Sequence, residues 1–251
     1  RDHVSRFATG DTHATRRAMV TALLAAIDPA DIRDRATRCA IDALDAGTPA
    51  TTVARTVPVA VLAAALGIDV DVTANVTLAA RDYLIGPPPD GAPDADAAVA
   101  ALVTACGGVA DERTAARIAV LVQACQATAE LIDSVLGAFR DHDPRAPVEN
   151  VVVETLRYDP PARAMRRVCT AGTTIAGTPA SAGTDVILDL VAANRDPRVF
   201  ADPDRFDARR PDADRHLAFG TGLRPCPGRD HATALAAGVV SAVLAVRAVS
   251  A

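Results

Sequence analysis

The chain has 251 residues, half of them hydrophobic, which is enough to bury a sizeable core. Its formal net charge is −5 and all 26 basic residues are Arg, so no general basic character favours a nucleic-acid partner. Cys39, Cys106, Cys125, Cys169 and Cys226 are odd in number, irregularly spaced and without a CxxC pair. That argues against a disulfide framework or zinc ribbon, and it fits small buried hydrophobes for the first four and a reducing, cytoplasmic setting. No leader-like start and no apolar run long enough to span a bilayer is read, so no membrane partner is expected. The stretch Leu235 to Val249 contains Arg247, is too short, and reads as a buried core helix. The chain opens on Arg, so it is expected to lack its native start.

Helical patterning fills the first half. Thr12 to Ile27 is rich in Ala, Leu and Val, with Arg16 and Arg17 on one side. Asp31 is placed to cap a second helix reaching Gly47. Thr51 or Thr52 opens a third, in which Val53, Val57, Val61 and Leu62 recur near helical spacing and Gly67 is the stop. A fourth is expected over Val72 to Leu84, and Gly86 to Pro93 is a loop. Helical pattern resumes near Asp94. A long helix follows from Asp111 to Arg140, and a short one from Val148 to Arg157 ends ahead of Pro160 and Pro161.

From Arg166 to Leu190 the texture changes to β-branched residues, Gly and Pro, with Gly177, Gly183 and Asp185 at turns between short antiparallel strands. Asn194 to Arg215 is polar and broken by Pro197, Pro203 and Pro211. A final helix runs from after Cys226 to about Val249. The expected fold class is mainly α with a small β region, in a single domain. Within it, 1–158 is mostly helical, 159–215 holds the small β region and an irregular meander, and 216–251 holds the cysteine loop and final helix.

Phe219-Gly-Thr-Gly-Leu-Arg-Pro-Cys-Pro-Gly228 carries the most chemistry. A free thiol is mostly protonated at neutral pH, and a thiolate needs support. A helix start favours an anion there, Pro227 suits the first helical position, and Gly220, Gly222 and Gly228 permit a tight loop whose N–H groups can point at sulfur. A dinucleotide loop is excluded, because the third glycine is absent and Pro225 and Pro227 disrupt the helix that should follow. Glu154 and Arg157, three apart, share one helix face.

The cysteine segment resembles the heme-binding signature of the cytochrome P450 family, FxxGxRxCxG, with Phe219, Gly222, Arg224, Cys226 and Gly228 at the fixed positions. The resemblance implies a reduced cytochrome P450-like fold and heme b (iron protoporphyrin IX) ligated by Cys226. It implies that His13, Arg17, Arg167 and Arg224 donate to the heme propionates. It also implies that Glu154, Arg157 and Arg205, the last within Pro203-Asp-Arg-Phe206, form a buried structural triad that locks the meander. Ala192-Ala-Asn-Arg-Asp-Pro197 is similar to the family's stretch before the meander.

The long helix departs from the family pattern, which carries an acid followed by Thr on the distal face. The preferred alignment puts Ala127 at the acid and Thr128 at the hydroxyl. A one-residue shift puts Gln126 at the acid and Ala127 at the hydroxyl. Either way the carboxylate is missing, and neither Ala nor Gln is a general acid. The chain is also short. Trimming would explain the ends but not the compressed stretch after Gly67 or the brief Asp141 to Pro147 connection, so a reduced member with an open distal face is expected, or one covered by a partner or second copy. The function expected from the resemblance is a heme-thiolate oxidoreductase, monooxygenase-like, acting on a small or carrier-presented natural-product intermediate, with a ferredoxin-type donor or peroxide. The alternatives are a heme-dependent dehydratase, isomerase or peroxide-driven bond-forming enzyme, and a non-catalytic helper.

Overall fold

The computed structural model describes residues 3–83, 93–142 and 145–249, so the expected loop after Leu84 lies outside it except for Pro93. A single 3-10 turn, Ser5–Phe7, precedes α1 (Gly10–Ala25), α2 (Pro29–Asp45), α3 (Ala50–Ala65), α4 (Thr73–Tyr83), α5 (Pro93–Ala105), α6 (Glu112–Asp141) and α7 (Val148–Tyr158). Four short strands follow: β1 (Ala164–Val168), β2 (Thr173–Ile175), β3 (Thr178–Ala180) and β4 (Asp185–Asp189). Then come α8 (Leu190–Ala193), a 3-10 turn at Ala213–Arg215, and α9 (Arg229–Val249). The chain divides into two compact units, Arg1–Gly137 with Cys226–Ala251, and Ala138–Pro225. The order of helices, small β region, meander and last helix matches the sequence expectation.

In the first unit, α2 and α9 form the most extensive helix pair. Asp28, not Asp31, caps α2: its carboxylate accepts from the Ala30 N–H at 2.9 Å, and Pro29 opens the helix. Proline lacks the N–H that the first helical position would leave orphaned, so the helix starts there and Asp31 falls in its first turn. The crossing is close because small residues face each other. Ala36 and Ala40 of α2 and Gly238 and Ala242 of α9 are all buried. The Thr37 hydroxyl donates to the Arg33 carbonyl at 3.0 Å and to the Gly238 carbonyl at 3.2 Å. Of the cysteines expected in the core, Cys125 is buried, Cys106 and Cys169 are half-buried, and Cys39 is exposed on α2.

The sequence expectation that no helix could span a bilayer is corrected. By length and composition α6 and α9 are both long and apolar enough, because α9 extends the apolar stretch back to Arg229. About half of each apolar window is nevertheless buried (56% and 44%), and the buried face of α9 includes Leu235, Val239, Val240 and Val243.

In the second unit, β1 pairs with β4 and β2 with β3, both antiparallel. The β2–β3 turn, Ala176-Gly177, holds both residues at positive φ (48° and 83°), the geometry a two-residue hairpin needs. The core of the unit lies around α7. Glu154 and Arg157 are both fully buried and form a two-point ion pair, Nε to Oε2 at 2.8 Å and Nη2 to Oε1 at 2.7 Å. Arg157 spends its other three N–H donors on the carbonyls of Asn194 (3.1 Å), Pro203 (2.8 Å) and Arg205 (3.1 Å). All five guanidinium donors are thereby used.

The expected third member, Arg205, is not in this cluster. Its side chain is 70% exposed and faces Asp207 at 3.5 Å; only its carbonyl joins in. Arg210 takes the place instead, with a 6% exposed side chain and Nε 3.3 Å from Glu154 Oε1. It also donates to the carbonyls of Ala201, Asp202 and Arg205. A turn at Ala208 and Arg209, closed by the Arg210 N–H donating to the Asp207 carbonyl at 2.9 Å, lies between the two arginines.

Two outcomes follow for stability. Arg157→Lys and Arg210→Met each cost about 3 kcal/mol in urea unfolding, because a point-charge ammonium cannot serve the fork and an uncompensated carboxylate is left buried. Arg205→Met stays within about 0.5 kcal/mol. A Cβ added at Gly238 would meet the Arg33 carbonyl oxygen at 2.5 Å and Ala36 Cβ at 3.1 Å. Gly238→Ala therefore lowers the thermal midpoint, the overpacking cost of about 1–3 kcal/mol outweighing a helix-propensity gain of about 1 kcal/mol.

Candidate functional site

Cys226 lies three residues ahead of α9. The Gly228 N–H is directed at its sulfur, and the guanidinium groups of Arg17 and Arg6 lie close enough to favour an anion. Desolvation outweighs all three: the residue keeps an accessible edge, but the surrounding protein pushes the thiol up from its ordinary value. The isolated chain therefore holds a protonated thiol in a setting that favours the thiolate once a metal cation supplies the missing charge. Among the described residues no group of three or more His, Cys, Asp or Glu is placed to hold a metal ion. A porphyrin brings its own nitrogen donors, so its iron needs only one thiolate from the protein, and Cys226 suits that demand. The residues present fit heme.

Helix α1 supplies the basic side of this sulfur. His13 and Arg17 are four residues apart, share one helix face and are half-buried. The adjacent Arg16 points elsewhere, with Nε and Nη2 donating to Glu112 Oε1 at 2.9 and 2.8 Å. Two neighbouring arginines are thus divided between a structural tie to α6 and the thiol. Arg6, in the 3-10 turn, is a group the sequence reading missed; no spacing signal marks it. Gly228 packs on Leu24 of α1, since a Cβ there would touch Leu24 Cδ1 at 3.8 Å.

Other expected site residues belong to the second unit. In the β1–β4 register Arg166 and Arg167 fall on opposite faces: Arg166 pairs with Asp185 at 2.7 Å, while Arg167 sits on the face of Met165, Val186 and Leu188. Arg167 Nη2 lies 3.8 Å from Met165 Sδ. The same sulfur would lie 4.0 Å from a Cβ on Gly220, so Met165, which the sequence reading passed over, joins β1 to the glycine turn. Gly220 and Gly222 both have positive φ (69° and 75°). Phe219 is half-buried, its ring centre 5.8 Å from that of His216, and Arg224 is exposed. Asn194 connects this turn to the ionic cluster. Fully buried, it donates to the Leu156 carbonyl at 3.3 Å and accepts from the Leu217 N–H at 2.7 Å.

On α6 the structure separates the three expected distal residues. Thr128 is 2% exposed and continues a buried stripe of Leu121, Cys125, Ile132 and Val135, spaced three and four apart. Gln126 and Ala127 lie on the opposite, exposed side. Thr128 thus lies on the buried side of α6, where the preferred alignment places the hydroxyl, and the two alternatives for the acid position lie on the exposed side. The Gln126 side-chain amide donates to Glu130 Oε1 at 2.7 Å.

Residues 130–244 match the family model Cytochrome P450. Putative cytochrome P450 140 of Mycobacterium tuberculosis is 46% identical over 93 residues, a stretch covering 37% of this chain and 21% of that protein. Cyclomarin C epoxidase CymV of Salinispora arenicola is 42% identical over 84 residues, 34% of this chain and 21% of that protein. The matched stretches thus span about a fifth of these relatives' lengths. The fold is shared more widely. The structure of P450BioI in complex with hexadec-9Z-enoic acid ligated acyl carrier protein superposes with a TM-score of 0.82 at 22% identity, covering 99% of this chain and 75% of that one. Residues 130–244 are thus similar in sequence to cytochrome P450s, and the chain shares its fold with a solved one.

Proposed function

We propose that the chain is a heme-thiolate oxidoreductase acting on a small or carrier-presented natural-product intermediate. The observation that carries the reading is Cys226: a lone thiol with a backbone N–H and two guanidinium groups arranged in its favour, yet desolvated enough to stay protonated without a metal. In this reading Cys226 ligates the iron of heme b, with Gly228 holding the sulfur and Phe219 packing the loop. Arg17, Arg167 and Arg224, with His13, meet the two propionates, which need cationic partners on entering a protein. When bound, heme with a thiolate ligand supplies one-electron and oxygen chemistry. Glu154, Arg157 and Arg210 act on folding and heme retention. A ferredoxin-type donor would dock by Arg224 and Arg229, both exposed. Likeness to an epoxidase and to a protein crystallised with an acyl carrier protein supports this substrate class. A cytoplasmic setting and a partner or second copy over the distal face belong to the same proposal.

A second reading keeps heme and drops oxygen activation, giving dehydration, isomerisation or peroxide-driven bond formation. The exposed face of α6 favours it. Gln126 and Ala127 carry no acidic proton, and the Gln126 amide is engaged with Glu130. A helper without chemistry is the third reading, and retention of Cys226 argues against it.

The purified protein, loaded with heme, reduced and exposed to carbon monoxide, is expected to show the thiolate-type absorption band. Cys226→Ala removes that band while leaving the far-UV spectrum unchanged. A wild-type chain without heme affinity or without the band would leave the helper reading standing. If turnover requires oxygen and electrons, Gln126→Glu raises it by at least about tenfold, since a general acid at such a position contributes about a hundredfold or more. Turnover without a reductant and indifferent to Gln126→Glu selects the second reading.

A further inference from the structure

His231, in the first turns of α9, is buried, and nothing in the chemistry proposed above uses it. Its Nε2 lies 3.0 Å from the carbonyl oxygens of both Leu24 and Ile27, at the end of α1. Carbonyl oxygens only accept, so Nε2 is the donor, shared between two acceptors. Nδ1 is buried with no hydrogen-bond partner among the described residues, so the ring's polar contacts are with the last turn of α1 and the residue two beyond it.

These contacts close a circuit around the thiol. The Gly228 N–H points at the Cys226 sulfur. The Gly228 carbonyl accepts from the Ala232 N–H at 2.8 Å, which roots the hydrogen-bonded frame of α9 at Gly228. One turn on, His231 ties that frame to Leu24 and Ile27, while Leu24 itself lies under Gly228. Helix α1 in turn carries Arg17, whose charge acts on the same sulfur. The sulfur thus sits just ahead of α9 and its counter-charge on α1, and His231 bonds the start of α9 to the end of α1 beside them. Hydrophobic contact would hold α9 near α1 but leave it free to slide, because such contact is non-directional. Two hydrogen bonds from one ring atom restrict rotation and translation of the first turn.

We propose that His231 is a positioning residue for the sulfur ligand: it holds the first turn of α9 on the end of α1 so that Cys226 stays in place to ligate. This rests on the heme-thiolate reading.

The test compares heme-loaded, carbon monoxide-bound reduced protein for wild type, His231→Leu, His231→Gln, His231→Asn and Gly238→Ala, with the ferric–ferrous potential of each. The Leu variant leaves two carbonyls without their donor and is expected to raise the ratio of non-thiolate to thiolate absorption about tenfold, and to move the potential upward because less electron density reaches the iron from sulfur. Gln places an amide nitrogen where Nε2 lies and is expected to keep the wild-type ratio. Asn is too short and is expected to behave like Leu, so the pair decides the matter if the Leu variant does not fold. Gly238→Ala loosens α9 against α2 and should lower stability without changing the ratio. Unchanged ratio and potential in the Leu and Asn variants, or an equal shift in Gly238→Ala, overturns the positioning role. Absence of the thiolate band in the wild type sinks the heme-thiolate reading itself, and this inference with it.

Discussion

The buried ionic cluster of Glu154, Arg157 and Arg210 is the constraint on which the second unit depends. Taking these charges out of water costs several kcal/mol each, and Coulomb attraction alone does not reliably return it. The cost is met because nearly every polar atom finds a partner. Arg157 uses all five donors, and Glu154 also accepts the Asp207 N–H at 2.8 Å. Four carbonyls of an otherwise irregular segment, at Pro203, Arg205, Asp202 and Ala201, are thereby satisfied from inside. An irregular chain cannot satisfy its own backbone as a helix does, so buried arginines serve in its place. Arg157 also lies 5.4 Å over the Phe200 ring, which adds an apolar contact to the charged ones.

Within the same unit that cluster reaches the glycine turn through Asn194. Its carbonyl accepts a hydrogen bond from Arg157 and its side-chain oxygen accepts one from the N–H of Leu217, two residues before Phe219. Order in the glycine turn is therefore inherited from α7. The turn has no regular structure of its own, and Leu223 at its tip is 98% exposed. On the other side of the Pro225–Cys226 peptide bond the sulfur depends on a different set of contacts: α1, α9 and the Gly228 N–H. The ligand loop is thus supported at its two ends by separate means, one ionic and one helix-on-helix.

Much of this was legible in the residues. Helix periods, the Gly177 hairpin, the Glu154 and Arg157 spacing and the cysteine loop all depend on local rules that act within a few residues. Errors fell where two nearby residues of one kind compete for one role. Asp28 and Asp31 both suit a helix start, and Pro29 decided between them. Arg205 and Arg210 both lie in the meander, and only the folded chain shows which one reaches Glu154. Gln126, Ala127 and Thr128 are consecutive on one helix, so a single residue of register moves a side chain by a hundred degrees. His231 carried no signal, because a histidine in an apolar helix looks like any tolerated polar residue until its acceptors, more than two hundred positions away, are known.

The sequence by itself determined the family resemblance, the identity of the sulfur donor, the order of elements and the absence of an acid at the expected place on α6. These are matters of residue type and short spacing, which need no tertiary contact to be read. The tertiary structure alone decided which arginine completes the ionic cluster, which face of α6 Thr128 occupies, and what holds the helix behind Cys226. Each of those depends on atoms brought together from distant parts of the chain. Directional hydrogen bonds to backbone carbonyls select among residues that composition and spacing leave equivalent.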